Sequence, residues 1–271
     1  MEKEQENSQL QKQLMEKEQE NSQLQKQLGE KEQENSQLQK QMEETTGYLA
    51  ELSQSNSCIP KPVFDWIDKA AESNSYIPKP VFDWIDKAAV DVTLDPDTAH
   101  PRLILSEDGK QLRDGGTPQD FPDISERFTL HTCVLGRQKI SSGRFFYEVQ
   151  VGEKTEWYIG VAKQSINRHD SVKTSTTNGY WVVWLRKGQY WAGVDPSVPF
   201  PLKEKPRTVG VYVDYERGQV SFYNVEAGSH IYSFTEYNFT ENLYPFFSPG
   251  YKNSRNSAPL IILYANSTNF K

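Results

Sequence analysis

The chain has 271 residues and a formal net charge of −7, with 30 Lys and Arg against 37 Asp and Glu, so it lacks the basic footprint of a nucleic-acid binder. Apolar residues make up only 36%, low for a wholly globular chain, and a polar segment must dilute an otherwise ordinary core. Two cysteines, Cys58 and Cys133, and four histidines, His100, His131, His169 and His230, fall in no metal-ligand spacing, so no metal or cofactor is expected.

The polar segment is the N-terminus. Residues 1–14 and 15–28 are both MEKEQENSQLQKQL, and 29–42 repeat this with Gly29 and Met42 as the only changes. Residues 1–54 hold six lysines and twelve glutamates with no arginine or aspartate, a balance of −6 out of −7. A 14-residue period is two heptads. Leu10, Leu24 and Leu38 fall at d and Leu14, Leu28 and Met42 at a, the register continuing to Leu49 and Leu52, while Asn7, Asn21 and Asn35 at a and Lys3, Lys17 and Lys31 at d make half of the seam polar. The spacing predicts a weak coiled coil over 1–54 that joins copies of the chain into a homo-oligomer. A solvated polar helix or a largely disordered tract is the alternative. No run approaches the roughly 20 apolar residues that span a bilayer, and the acidic start is unlike a secretory signal. No membrane span and a cytoplasmic location are expected, with the sequons at Asn238 and Asn266 arising by chance.

A second duplication covers 55–90: SNSCIPKPVFDWIDKAAE, then SNSYIPKPVFDWIDKAAV. In each copy a proline pair precedes a short amphipathic pattern, Val63, Trp66, Ile67 and Ala70 in the first and Val81, Trp84, Ile85 and Ala88 in the second. The second copy is expected to pack on the domain that follows. The first is either a docking helix for a partner or a linker duplication without a role.

From residue 91 the hydrophobic period changes from 3.6 to 2. Alternating runs at Phe145–Val151, Trp157–Ala162, Tyr180–Leu185, Thr208–Asp214, Gln219–Val225, His230–Phe234 and Leu260–Tyr264 are separated by Gly, Pro, Asn and Asp clusters, which predicts an all-β sandwich over 91–271. VDYERGQVSFYN reads as a hairpin with Gly218 left-handed in its turn, Asp214 and Glu216 satisfying backbone groups there. No phosphate-binding glycine loop and no G-x-S-x-G nucleophile motif occurs. The pair His169–Asp170 is a weak acid/base candidate, and no enzyme activity is expected.

Four segments in order, VTLDPDTAHPRLILSEDGK (92–110), VLGRQKISSGRFFYEVQV (134–151), VDYERGQVSFYN (213–224) and LYPFFSPG (243–250), resemble the PRY-SPRY domain of tripartite-motif (TRIM) ubiquitin ligases and butyrophilins. Tyr147 stands where that family usually has Trp, and Val213 where it usually has Leu. The resemblance implies a twisted two-sheet antiparallel sandwich whose loops and one face bind a target protein. A full-length relative would be a ubiquitin ligase, but two cysteines and four histidines cannot build a two-zinc RING, and with no RING or B-box in these residues no ligase activity is expected of them. A role in ubiquitin-ligase targeting or innate immunity is what the family suggests.

Alternation separates two faces of the aromatic stretch YWVVWLR: Trp181, Val183 and Leu185 for the core, and Tyr180, Val182, Trp184 and Arg186 for the solvent side. In Trp157–Ala162 the core set is Trp157, Ile159 and Val161. The family pattern places Tyr158, Trp184, Arg186 and Tyr251 in the partner-binding surface, residue types that dominate interface energetics. The long polar loop 163–179 suits variable recognition. Two rival readings remain: a sensor of phosphorylated small ligands, using Arg168, His169, Lys173 and Arg186, and a passive structural coiled-coil protein.

Overall fold

The computed structural model describes residues 2–52 and 85–265 except 123, 172, 254 and 255, with only part of the side chains in the first helix. The first copy of the 18-residue duplication, with Cys58, Val63, Trp66, Ile67 and Ala70, lies outside the described residues, as do Val81 and Trp84 of the second. The chain divides into two compact units, 1–63 and 64–271.

In the first unit a single helix, α1, runs Glu2–Leu52, built from Glu, Gln, Lys and Leu, all strong helix formers, with no proline to break it. At about 1.5 Å per residue it is roughly 75 Å long. Leu14, Leu24 and Leu28 of the heptad seam are 60%, 55% and 60% exposed. The side chains of Leu10, Leu38, Met42, Leu49 and Leu52 lie outside the described residues.

The second unit is a sandwich of two antiparallel sheets. One has seven strands in the order β1 (Leu103–Leu105), β2 (Gln111–Asp114), β13 (Leu260–Ile262), β4 (Arg144–Gln150), β9 (Thr208–Asp214), β10 (Gln219–Asn224) and β11 (Ser229–Phe234). The other has six: β3 (Val134–Leu135), β12 (Leu243–Ser248), β5 (Trp157–Lys163), β6 (Tyr180–Arg186), β7 (Gln189–Ala192) and β8 (Val198–Phe200). All seven runs of period-2 alternation fall on strands. β1, β2, β3, β7, β8 and β12 are additional, several of them too short to show a period.

The two inner faces meet as the alternation requires. Phe145, Tyr147 and Val149 of β4 and Val209, Val211 and Val213 of β9 share one core with Trp157, Ile159 and Val161 of β5 and Trp181, Val183 and Leu185 of β6. Tyr147 is buried, and its hydroxyl donates to Gly160 O at 2.6 Å across the sandwich, so the polar atom that this residue brings into the core is satisfied. In the β9–β10 hairpin Gly218 has φ 63°, and a Cβ there would lie 1.4 Å from Tyr237 O. Asp214 Oδ1 accepts Arg217 N–H at 3.1 Å, and Glu216 accepts Gly143 N–H at 2.8 and 2.9 Å.

Ahead of the sandwich, Ile85 is fully buried, and Ala88 and Val90 hydrogen-bond to both backbone groups of Phe146 on β4. Nearby on β4, Glu148 is 5% exposed, with Oε1 lacking a hydrogen-bond partner. Burial, then the charges of Asp86 and Glu226, push its pKa from 4.5 to about 7. The folded state therefore holds a proton here that the unfolded chain releases, and this group's contribution to stability should fall as pH rises from about 4.5 to about 7, while buried His230, pushed down to about 4, contributes in the opposite sense. Glu148→Gln should flatten this fall, giving a variant about 1 kcal/mol more stable than wild type at pH 8, after allowing for the amide's own desolvation. By pH 4 the order should reverse, wild type then being about 2 kcal/mol the more stable, because the shift from 4.5 to about 7 is worth about 3 kcal/mol between the two pH values. Urea titrations at the two pH values check it.

Candidate recognition site

The outer face of the six-stranded sheet carries a second, smaller apolar cluster: Phe128, Cys133, Leu135, Ala162, Ile166, Tyr180, Val182 and Phe246 are buried, with Tyr158, Trp184 and Tyr244 packed beside them. Tyr180 and Val182, expected on the solvent side, are thus 5% and 0% exposed. They are covered because the segment between β2 and β3 lies over this face. Arg127 fastens that segment, donating to Ala99 O at 2.7 Å and Pro96 O at 3.0 Å, while Phe128 N–H donates to Thr98 O at 3.0 Å.

What remains uncovered is one end of the face. Register places Ser248, Tyr158, Trp184, Trp191 and Pro199 opposite one another on β12, β5, β6, β7 and β8, so they form a row across the sheet on its outer side. Tyr158 and Trp184 stack with centroids 5.5 Å apart and planes at 21°. Trp191 reaches the row because Lys187 and Gly188, both with positive φ, make a two-residue turn that pairs Arg186 with Gln189, the geometry favoured in tight hairpins. Sequence reading missed Trp191. Counting outward from the Arg186–Gln189 pair would have placed it opposite Trp184.

Beside the row is a cavity of about 330 Å³, with Tyr158, Tyr180, Cys133 and Phe246 among its lining residues. Its other walls come from loop 163–179 through Arg168, Asp170 and Lys173, from Arg186 and Glu156, and from Gly250–Tyr251. Tyr158, Arg186 and Tyr251 therefore line one cavity, and Trp184 adjoins it through its stack on Tyr158. Burial pushes the Tyr158 hydroxyl's pKa up, with Arg186 pulling it partly back. Burial also pushes the Cys133 thiol up to about 12.

Asn256 ties two walls together, a role the sequence did not advertise. Its Oδ1 accepts the N–H groups of Thr155 and Glu156, both at 3.1 Å, and its Nδ2 donates to Pro249 O at 2.9 Å and Tyr251 O at 3.2 Å. The first two bonds cross to the segment carrying Glu156, and the other two fix Asn256 within its own segment, the one carrying Tyr251. Tyr251 is 43% exposed, with the Arg102 guanidinium 5.5 Å from its ring centroid.

The charged groups are mostly paired. Arg186 Nε lies 3.5 Å from Glu156 Oε1, and Lys173 Nζ 3.6 Å from Asp195 Oδ1. Arg168 donates to Gln164 O at 3.0 Å while its buried Nε lacks a hydrogen-bond partner. His169 turns away from the cavity, its ring nitrogens 3.0 Å from Ser125 O and 3.4 Å from Thr129 Oγ1. Asp170 instead accepts from Asn167 Nδ2 at 2.8 Å, so the two do not form an acid/base pair. Among the described residues no group of three or more His, Cys, Asp or Glu is placed to hold a metal ion, and no helix is long and apolar enough to cross a membrane.

A sandwich of this topology, with its loops gathered over one sheet, belongs to a known class. The SPRY-associated domain model matches residues 92–140 and the SPRY domain model residues 144–259, together more than half of the chain, which therefore belongs to the PRY-SPRY family. The chain is 50% identical over 175 residues to human E3 ubiquitin-protein ligase TRIM68, a match covering 64% of this chain and 36% of that protein. To human butyrophilin subfamily 1 member A1 it is 46% identical over 158 residues, 58% of this chain and 30% of that one. The chain thus spans about a third of the length of the curated relatives it matches. The crystal structure of the TRIM65 PSpry domain shares the fold with a TM-score of 0.57 at 19% identity, covering 69% of this chain and 98% of that one.

Proposed function

We propose that the chain is a recognition module that grips a target protein with the cavity and the adjoining aromatic row, anchored by Tyr158, Trp184, Arg186 and Tyr251. The observation that carries this reading is the stacked, half-exposed Tyr158–Trp184 pair beside a cavity framed by three loops. Large aromatic side chains held rigid at the edge of a pocket lose little entropy on binding and are the usual centres of interface energy. By likeness to the ubiquitin-protein ligase TRIM68, the role would be target selection for ubiquitin transfer; a cytoplasmic location, and innate immunity as the alternative setting, rest on the sequence and its family resemblance alone. Capture of partners by the full chain, followed by calorimetric titration of each captured protein, tests the reading.

One observation favours a phosphorylated small ligand: Arg168, Lys173 and Arg186 line the same cavity. Against it, Glu156 and Asp170 line that cavity too, and Arg186 and Lys173 are already engaged by carboxylates. A ligand of that kind should bind with an affinity that falls steeply with added salt. Titration of phosphorylated metabolites at two ionic strengths separates the two readings.

The exposed leucines of α1 support self-association through residues 1–54. The full chain is expected to sediment as an oligomer at micromolar concentration, and Leu24→Ala with Leu28→Ala should shift it toward monomer. The shift should be modest because half of the heptad seam is Asn and Lys. A monomeric wild-type chain would remove this part of the proposal.

A further inference from the structure

The edge of β4 is completed by two different pieces of chain. β13 pairs with β4 at Val149 and Gln150, and Leu263 N–H still reaches Glu148 O at 2.9 Å. Further along the same edge, residues before the sandwich take over. Val90 N–H donates to Phe146 O at 2.9 Å, Phe146 N–H donates to Ala88 O at 2.8 Å, and Ala89 forms a parallel bridge to Phe146. Just upstream, Ile85 O and Asp86 O accept from Ala88 N–H and Ala89 N–H at 3.0 and 2.9 Å, a turn that holds the fully buried Ile85 beside this short strand. The docked segment therefore runs from Ile85 to Val90, and its first five residues are Ile85-Asp86-Lys87-Ala88-Ala89. The same five residues, Ile67-Asp68-Lys69-Ala70-Ala71, occur 18 positions earlier, within a run identical over 59–71 and 77–89.

We infer that the β4 edge at Phe146 is a binding site for this five-residue unit, that the chain carries two ligands for it, and that Ile67–Ala71 occupies the site whenever Ile85–Ala89 leaves it. Strand addition to a sheet edge draws its affinity from main-chain hydrogen bonds and its specificity from the side chains beside them. Both copies offer the same side chains through the second alanine. They differ at the next residue, where half-buried Val90 corresponds to Glu72. Seating the first copy also closes residues 73–90 into a loop, which disfavours it by roughly 80-fold on the three-halves-power scaling of loop closure. At rest the second copy holds the site and the first is a reserve. Exchange would shorten the tether between Leu52 and the docked isoleucine from 32 residues to 14.

The Phe146 amide reports occupancy, because its hydrogen goes to Ala88 O. Hydrogen exchange at this amide in the full chain is the test, with amides of β9 and β10 as controls for the fold. Ile67→Asp should leave Phe146 protection within about twofold of wild type. Ile85→Asp should lower it, and the double variant should fall at least tenfold below Ile85→Asp. Adding Glu72→Val to Ile85→Asp should recover protection. Equal protection in Ile85→Asp and the double variant would overturn the inference, as would protection in Ile85→Asp that rises with protein concentration, which would assign the replacement to a second chain. If Ile85→Asp disturbs the control amides, deletion of 73–90, which sets the first copy directly before Asp91, decides: retained Phe146 protection supports the two-ligand site and its loss refutes it.

Discussion

Replacing Trp181 with alanine should cost about 3–5 kcal/mol of stability, the range for truncating a fully buried aromatic side chain. The indole is 2% exposed and meets Phe239 and Tyr237 edge-on, with centroids 4.8 and 5.5 Å away. Its removal leaves a cavity between β6 and the segment that carries both rings. Trp181→Phe should lose far less, since it keeps most of the ring contacts and removes an indole N–H that has no hydrogen-bond partner. Trp184, three residues along on the opposite face of the same strand, is only partly buried, and its truncation should cost about 1 kcal/mol or less in stability. Equal and large shifts of the urea midpoint for Trp181→Ala and Trp184→Ala would contradict the assignment of faces.

The second large effect is on binding. With the fold intact, Trp184→Ala and Tyr158→Ala should each weaken the captured partner by at least about 2 kcal/mol, roughly thirtyfold in Kd. Because the two rings stack on each other, the double variant should lose less than the sum of the single ones. Trp191→Ala extends the test along the row: a comparable loss would carry the contact surface out to β7. Unchanged affinity in Trp184→Ala, measured calorimetrically, would remove the anchor on which the proposed function rests.

The inner half of the sandwich was legible in the sequence because alternation there is driven by burial alone. Thr208–Asp214 became β9 with the same bounds, and Trp181, Val183 and Leu185 all entered the core. The outer face was not legible to the same degree. Alternation assigns each residue to one side of a sheet but says nothing of what lies over that side. Tyr180 and Val182 are buried by Phe128 and its neighbours, which belong to a loop without period. β7 and β8 escaped because strands of four and three residues hold too few alternations to register. Asn256 is a different case. One polar residue in a loop gives no signal that its amide joins two segments about a hundred residues apart.

Cys133 sits in the lining of the cavity, and its displaced titration bears on where the site can work. A thiol with pKa about 12 is thiolate in only about one molecule in 10⁵ at pH 7, and it is the thiolate that peroxide, disulfides and alkylating reagents attack. The residue therefore serves the cavity as a small apolar filler. Oxidants that modify exposed thiols should leave the lining of this cavity in the same shape, and the binding proposed for it should then not vary with redox state.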